Sequence, residues 1–429
     1  MRRVGRSELS ILYAFVVIVL GANPMPLGAQ VKSQEPAESM GTVSVFVNSL
    51  NGIGGGGLAV DALGNVYVSD FGETLWKISP DGKARIFATG FYGAAGTAVD
   101  SRGNLYETNF FGNTISKVNR AGEVTTYVAE GLSGPVGIAI DTQDQLYVCN
   151  CRSQTIVKIN SQKEVSTVAS SLPYFGCPNG ITLDTAGNLY VVGFNSSWVL
   201  KIDPKGQVRV FAGIPGAGNA HIVFVRGMLY VTSFRTHQIF SITPAGEVAL
   251  FAGSGERGVS EEPARLAAFS HPDGIGANPQ GDTLYVNSLL REQRWAESSP
   301  PAPRAISKIS LTTLWTLLQS AFDRNGTDGV RATLRAYGND PRFAAQYIEP
   351  WVNRMGYAFL WQKKRDAALA VFQFNAESYP SSSNVYDSLA EAYMESGRTE
   401  QAIQNYKKSL ELNPGNENAR LMLQRLAGK

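Results

Sequence analysis

Two short motifs place a polar side chain at the same position of a recurring pattern. Residues 178–181 read Pro-Asn-Gly-Ile, and residues 272–275 read Pro-Asp-Gly-Ile. The related motif that begins at Pro135 carries Val136 at this position, so the turn itself does not require a polar residue. Asn and Asp also favour turns that precede strands, which leaves a purely structural explanation open.

Other polar residues lie close to the same positions in the pattern. Asn219 and His221 begin the corresponding strand of a further copy, and His271 precedes the second motif. An amide, a carboxylate and an imidazole around one opening can orient a small ligand or hold a hard divalent cation such as calcium. We therefore predict a ligand-binding site formed by Asn179, Asn219, His221, His271 and Asp273. In the alternative interpretation Asn179, His221 and Asp273 bind a metal ion, and no catalytic residue is assigned.

These motifs belong to a sequence unit that occurs six times. Each copy has an apolar strand, a tight turn, a second strand often ending in Leu-Tyr-Val, and two more short strands. The unit recurs about every 40 residues, and four short strands per unit of this length are typical of a β-propeller blade. No helical periodicity occurs before residue 311. The copies begin at Gly57, Gly96, Gly137, Gly180, His221 and Gly274.

The last copy has three strand patterns and no fourth. Residues 43–50, which precede the first copy, match the pattern of a fourth strand. Pairing the two ends of the chain would close the ring and remove free sheet edges. We therefore predict an all-β propeller of six blades over residues 41–310.

The order of strands defines two faces of this propeller. The tight turns between first and second and between third and fourth strands share one face, here called the turn face. The longer connections, including residues 170–178, 213–220 and 253–272, share the opposite face, here called the loop face. Loop variation on a rigid scaffold is where binding usually occurs, so we expect the ligand or partner there.

The repeated aspartates and the cysteines have structural explanations. Asp61 and its equivalents are expected to cap the tight turns. The three cysteines are too few for a disulfide framework. Cys151 aligns with phenylalanines of other copies, which favours a small apolar filler. A Cys151–Cys177 disulfide in an oxidising compartment and a metal site that also uses Cys149 remain as alternatives.

From residue 311 the pattern becomes helical. Residues 311–348 are expected to form a helical pair, and residues 349–429 show a register of 34 residues. In this register Gly356 matches Ala390, and Phe372 matches Tyr406. The pattern resembles the tetratricopeptide repeat, with a final capping helix, and the resemblance implies an all-α domain whose groove binds a protein or peptide.

The N-terminus and the composition limit the location and the partners. A basic start, an apolar run over residues 11–20 and small residues before position 30 predict a signal peptide over 1–29, followed by a linker over 30–40. The protein is therefore expected to be secreted or periplasmic, with no stable membrane span after cleavage; an uncleaved anchor is the alternative. The net charge of +2 and the absence of a long basic run make nucleic acid an unexpected partner.

Residues 41–310, especially the stretch that runs into His-Pro-Asp-Gly-Ile at 271–275, resemble NHL repeats and the six-bladed SMP-30/gluconolactonase class. They are more loosely similar to streptogramin lyase-like propellers. The gluconolactonase resemblance implies a divalent metal held by a Glu, an Asn and an Asp. Asn179 and Asp273 match two of these ligands, whereas Gly54–Gly57 occupy the region where the Glu would lie.

The combined prediction is a secreted or periplasmic binding or scaffold protein without a cofactor. Its propeller would bind a small ligand or a protein on the loop face, and its helical repeats would bind a second partner. The alternative is a metal-dependent lactonase, another hydrolase or a lyase of the gluconolactonase or streptogramin lyase type. A propeller fold hosts both kinds of function, so the fold cannot decide between them.

Overall fold

The structure is a computed structural model that describes residues 41–50, 55–170, 172–173, 176–216, 218–290, 304–337, 340, 343 and 349–427. The predicted signal peptide and linker therefore lie outside the described residues. Within the described ranges, no helix combines the length and the apolar character that crossing a membrane would require.

Six antiparallel sheets form the blades of a propeller, as predicted. The first strand, β1 (Gly41–Leu50), belongs to the last blade. Blades 1 to 3 contain β2 (Leu58–Val60), β3 (Val66–Ser69), β4 (Thr74–Ile78) and β5 (Ala84–Thr89); β6 (Ala94–Val99), β7 (Leu105–Asn109), β8 (Thr114–Val118) and β9 (Val124–Val128); and β10 (Pro135–Ile140), β11 (Leu146–Asn150), β12 (Thr155–Ile159) and β13 (Val165–Ala169).

The remaining blades repeat this order. Blades 4 to 6 contain β14 (Pro178–Leu183), β15 (Leu189–Gly193), β16 (Trp198–Ile202) and β17 (Val208–Gly213); β18 (Asn219–Val225), β19 (Met228–Ser233), β20 (Gln238–Ile242) and β21 (Val248–Ala252); and β23 (Pro272–Ala277), β24 (Thr283–Leu289) and β25 (Arg304–Leu311). In blades 1 to 5 the first strand is innermost and the fourth is outermost, and in blade 6 the innermost strand is β23.

The first and last strands of the propeller close the ring, which confirms the prediction for residues 43–50. Strand β1 pairs antiparallel with β25, with Val45 opposite Ser307. The short strand β22 (Glu262–Pro263) pairs with the other edge of β1. In addition, the carboxylate of Glu261 accepts a hydrogen bond of 3.0 Å from the Val45 amide. The last blade therefore has five strands and its outer edge is covered.

The repeated Asp residues cap the tight turns, as expected. In blade 1, Asp61 Oδ1 accepts hydrogen bonds from the amides of Leu63 at 2.9 Å and Asn65 at 2.8 Å. Asp100 in blade 2 makes the same two bonds to the amides two and four residues later. These carboxylates are therefore occupied on the turn face, away from the loop face.

The C-terminal part is helical, with buried apolar positions in the predicted register. Gly356 lies against Phe372, where an added Cβ would come within 2.5 Å of the ring. Ala390 and Tyr406, the equivalents in the next unit, are fully buried. The helices are α1 (Leu314–Tyr337, with non-helical backbone at Asn325 and Gly326), α2 (Glu349–Trp361), α3 (Arg365–Ser378), α4 (Ser383–Glu395), α5 (Thr399–Leu412) and α6 (Glu417–Ala427).

Candidate functional site

The innermost strands line the central channel in the same register. Pairing to the second strand places Ile138, Ile181, Ile222 and Ile275 at one level. The residue that precedes this level in the sequence is glycine in every blade except the fifth. This glycine level consists of Gly57, Gly96, Gly137, Gly180, His221 and Gly274.

The glycines allow neighbouring blades to approach closely. A Cβ on Gly180 would lie 2.6 Å from the Cα of His221, and a Cβ on Gly57 would lie 2.9 Å from the Cα of Gly96. Blade 5 alone carries a large side chain at this level. The imidazole Nδ1 of His221 lies 3.1 Å from Asp273 Oδ1 on blade 6. His221 and Asp273 thus form a pair at the centre of the ring.

Backbone contacts fix both members of this pair. The hydroxyl of Thr232 accepts a hydrogen bond of 3.0 Å from the His221 amide and donates one of 2.6 Å to the carbonyl of Asp273. On the other side, Gly55 leaves room for the Asp273 carboxylate, because a Cβ at Gly55 would collide with it. The side chains of His221 and Asp273 are only 12% and 5% exposed, so the pair is held in a largely desolvated place.

Asn179 spans blades 4 and 5. Its Nδ2 donates a hydrogen bond of 2.6 Å to the carbonyl of Ala220, and the residue is buried. One of the two N–H groups is therefore engaged, and the side-chain oxygen is the acceptor that remains for a ligand.

A cavity of ≈ 210 Å³ opens above the His221–Asp273 pair on the loop face, here called the mouth cavity. Its polar lining comes from Asn179, His221 and Asp273, which the structure brings together as predicted. The rest of the lining is mainly apolar. It includes Phe71, Phe110, Phe194, Val136, Ala95 and the Cys151–Cys177 pair.

The phenylalanine side chains and Cys151 come from one repeated position. The residue three positions after the central valine of the second strand is Phe71 in blade 1, Cys151 in blade 3 and Phe194 in blade 4. In each case its amide donates to a carbonyl at the beginning of the first strand of a blade or directly before it. Because the position repeats, its side chains from several blades surround the opening of the central channel.

Cys151 and Cys177 form a disulfide, which resolves the alternatives that the sequence left open. Cys149 is free and fully buried, and burial raises the pKa of its thiol. The cysteines therefore do not form a metal site. The disulfide closes blade 3 against the connection into blade 4 at the edge of the mouth cavity.

Two of the predicted site residues lie away from the mouth cavity. Asn219 is fully buried and directly precedes Ala220, which is the equivalent of Asn179 and Asp273 in blade 5. Neither the oxygen nor the nitrogen of its side-chain amide has a hydrogen-bond partner among the described residues. The ring of His271 lies against Phe234 in a tilted contact, with centroids 4.8 Å apart, and edge-on to His237 at 4.6 Å. Neither residue belongs to the lining of the cavity.

The donor atoms in the mouth cavity do not match a calcium site. Calcium takes six to eight oxygen ligands, whereas the lining offers one carboxylate and one amide oxygen from its polar side chains. One oxygen of Asp273 is already engaged by His221. In the part of the chain that the structure describes, no three His, Cys, Asp or Glu side chains are grouped closely enough to share a metal ion.

Arg304 was missed by sequence reasoning. It is fully buried at the start of β25, and its Nη1 donates a hydrogen bond of 2.6 Å to the carbonyl of Ser69. Burial lowers the pKa of Arg304 to about 10, and the charges of Asp70 and Asp273 partly oppose this shift. Arg304 therefore places a positive charge behind the mouth cavity, near the Asp273 carboxylate. No repeated motif marks this position.

Glu107 was also missed, although the repeats contain a signal for it. It occupies the position of the buried Val68 and Val148 in blades 1 and 3. The carboxylate accepts hydrogen bonds from Ser69 Oγ at 2.8 Å and Thr97 Oγ1 at 2.6 Å. Burial raises its pKa to about 8. A charged residue type at a valine position of the repeat could have identified it.

Comparisons with known proteins cover both parts of the chain. Residues 383–416 match the tetratricopeptide repeat family. The propeller resembles an auxiliary nutrient binding protein from Bacteroides thetaiotaomicron, with 16% identity over 63% of this chain and 76% of that chain and a TM-score of 0.51. It also resembles a gluconolactonase from Xanthomonas campestris, with 14% identity over 63% of this chain and 89% of that chain and a TM-score of 0.50.

A streptogramin B lyase structure is similar at 17% identity over 65% of this chain and all of that chain, with a TM-score of 0.48. No curated protein matches the sequence. At these identities the solved structures show the fold alone, a six-bladed propeller followed here by helical repeats.

Proposed function

We propose that this chain is a binding protein with two separate binding surfaces. The mouth cavity takes a small ligand, and the helical repeats take a segment of a protein partner. We further propose that it acts outside the cytoplasm, in a secreted or periplasmic location. The N-terminal sequence supports this location, and so does the disulfide, since disulfides persist in oxidising compartments.

The lining of the mouth cavity is the observation that carries the ligand-binding proposal. Small-molecule sites are typically concave and mostly apolar, with a few convergent polar groups that fix orientation. The mouth cavity has this composition, with Asn179, His221 and Asp273 as the polar groups. The carboxylate and the imidazole engage each other, which favours positioning of a ligand over binding of a hard cation.

Toluene, a one-ring apolar probe, tests whether the mouth cavity binds small molecules. We expect saturation-transfer NMR to detect toluene bound to the full chain and to lose the signal in Ala95→Phe, which fills the cavity. Leu63→Phe is the matched control, because Leu63 is 80% exposed in a turn on the opposite face. Equal toluene signals in wild type, Ala95→Phe and Leu63→Phe, with both variants folded by circular dichroism, would contradict the proposal.

The helical repeats support the second binding surface. Tetratricopeptide-type repeats stack into concave surfaces suited to peptide segments. Trp361 is 80% exposed and Leu421 is 59% exposed on these helices. We expect Trp361→Ala to reduce capture of a partner from an extract of the source organism while Ala95→Phe leaves capture unchanged. Capture that depends on Ala95 and not on Trp361 would refute this division of roles.

A metal-dependent hydrolase or lyase is the second candidate. The observation in its favour is that Asn179, His221 and Asp273 meet in one cavity. We expect elemental analysis of the purified full chain to find no stoichiometric calcium or zinc. A bound divalent ion that is lost in Asp273→Ala would favour this second candidate over the binding protein.

A further inference from the structure

The mouth cavity has two chemically different sides. Blades 1, 2 and 4 contribute phenylalanine rings, and blade 3 contributes the disulfide. Blades 4, 5 and 6 contribute the polar corner of Asn179, His221 and Asp273. A ligand that satisfies both sides must have an apolar body and a polar group at one end.

The apolar side is a wall of aromatic rings. The ring centroids of Phe71 and Phe110 lie 5.5 Å apart, and Phe111 lies 5.2 Å from Phe110 and 5.8 Å from Phe71. At the rim, the guanidinium of Arg152 lies 4.7 Å over the Phe110 ring. Aromatic rings at these separations favour a further ring in stacked or edge-on contact. The wall therefore selects a flat, aromatic body.

The backbone at Phe71 is held in an unusual conformation. Phe71 has φ of +55°, a left-handed value that is uncommon for a bulky residue. Asp70 fixes the turn, because its Oδ1 accepts hydrogen bonds from the amides of Gly72 at 2.8 Å and Thr74 at 3.0 Å. Strain of this kind clusters at ligand-binding sites. Here it points the Phe71 ring at the cavity.

The polar side determines which hydrogen-bonding group the ligand carries. The Asp273 carboxylate accepts from Nδ1–H of His221, and in the tautomer with its proton on Nδ1 the Nε2 atom is a hydrogen-bond acceptor. This Nε2 is buried and has no partner within the described part of the chain. His221 also lines a second cavity, which lies between the innermost strands in the central channel. Its ring therefore forms the floor of the mouth cavity. A ligand that reaches this floor is stabilised if it donates a hydrogen bond.

The volume of the mouth cavity suits a ligand with one ring. An apolar cavity of about 150 Å³ accommodates benzene. At ≈ 210 Å³ the mouth cavity leaves room for one ring and a small substituent. A sugar lactone of similar size would place several hydroxyl groups against phenylalanine rings, where they would lack hydrogen-bond partners.

We propose that the mouth cavity binds a phenol. The aromatic ring lies against Phe71 and Phe110, and the hydroxyl group donates its hydrogen bond to Nε2 of His221. This inference rests on the proposed function, because it names the ligand class of the same site.

Three probes of similar size test the proposal on the full chain by isothermal titration calorimetry. The probes are 4-ethylphenol, ethylbenzene and glucono-δ-lactone. We expect 4-ethylphenol to bind about tenfold more tightly than ethylbenzene, since ethylbenzene leaves the buried Nε2 acceptor without a partner. We expect glucono-δ-lactone to bind more weakly than 4-ethylphenol. Tighter binding of the lactone would overturn the proposal.

Two variants separate the ring contact from the hydrogen bond. Phe110→Ala should lower the affinity for both aromatic probes. His221→Gly should abolish the advantage of 4-ethylphenol over ethylbenzene, and it introduces the residue that the other five blades carry at this level. Leu63→Ala on the turn face is the control and should change neither affinity. If wild type binds the two aromatic probes with equal affinity, the phenol inference is overturned. The proposed function still stands in that case, provided that toluene binds. Absence of binding for all of these probes and for toluene would overturn both.

Discussion

Glu107 is a buried carboxylic acid in a position that other blades fill with valine. Burial raises its pKa from 4.5 to about 8, and hydrogen bonds from Thr97 and Ser69 oppose part of this shift. The neutral acid is therefore favoured in the folded state. Between the pKa of Glu107 in the unfolded chain and its pKa in the folded protein, rising pH removes the proton from the unfolded state first. The unfolded state is therefore stabilised relative to the folded state over this range.

We predict that Glu107 makes the propeller less stable as pH rises from about 4.5 to about 8. A shift of this size corresponds to at most about 4 to 5 kcal/mol. Glu107→Gln keeps the shape without the charge, so its melting temperature should exceed that of wild type at pH 8.5 by more than at pH 5. Glu130→Gln, at an exposed position, is the control and should follow wild type at both values. A gap between Glu107→Gln and wild type that does not widen at pH 8.5 would contradict the prediction.

His221 and Asn219 show what the sequence could predict about single residues. The repeats identified Asn179, His221 and Asp273 because each departs from its equivalents in other blades. Asn219 lies one residue too early in the strand. The pairing of Ile222 with Val231 makes Ala220, and not Asn219, the equivalent of Asn179 and Asp273. A sequence of apolar and polar residues does not specify this offset, because a shift of one residue reverses the direction of the side chain.

At the level of elements, the strands and the ring closure could be predicted from the repeats. Alternating apolar residues and Gly-containing turns determine where each strand begins, and six similar units must meet to bury their faces. The break in α1 at Asn325 and Gly326 separates two helical segments, in the region where a helical pair is expected over residues 311–348. Arg304 could not be found in this way, because its partners Ser69 and Asp70 come from blade 1, far away in the sequence.

Strand β1 offers a sharp test of ring closure. Val43 is 3% exposed and packs with Ile309 and Phe269, whereas the next residue, Ser44, is exposed. We predict that Val43→Asp lowers the free energy of unfolding of the propeller by about 3 kcal/mol or more, since it buries an unpaired carboxylate. Ser44→Asp should change it by less than about 0.5 kcal/mol. Urea unfolding measures both, and similar losses in the two variants would mean that β1 does not seal the last blade.

At the scale of the whole molecule, the helices and the propeller have separate cores. The helical core contains Leu318, Phe359 and Phe372, all from residues beyond 310. The clusters between blades, such as the one around Val148, contain strand and loop residues only. Trp351 of α2 lies beside Arg226 and Gln280, which belong to turns on the face opposite the mouth cavity.

We predict two resolved transitions in scanning calorimetry, because among the described residues the buried clusters of the helices and of the propeller are separate. Phe372→Ala should shift only the helical transition, and Val148→Ala should shift only the propeller transition, each losing about 1 to 5 kcal/mol as expected for deletion of buried apolar groups. A single transition that both variants shift equally would show that the two parts unfold together.

The closing of the ring by β1 also imposes an order on folding. Ser44 bonds to Lys308, 264 residues later in the chain. During synthesis β1 emerges before every blade, yet its partner β25 is made after all the other strands of the propeller. The earliest strand must therefore remain unpaired, with an apolar face and free backbone groups, until the ring is otherwise complete. Contacts so distant in sequence slow folding, so this waiting period is when a growing chain is most exposed to aggregation and to pairing with a neighbour.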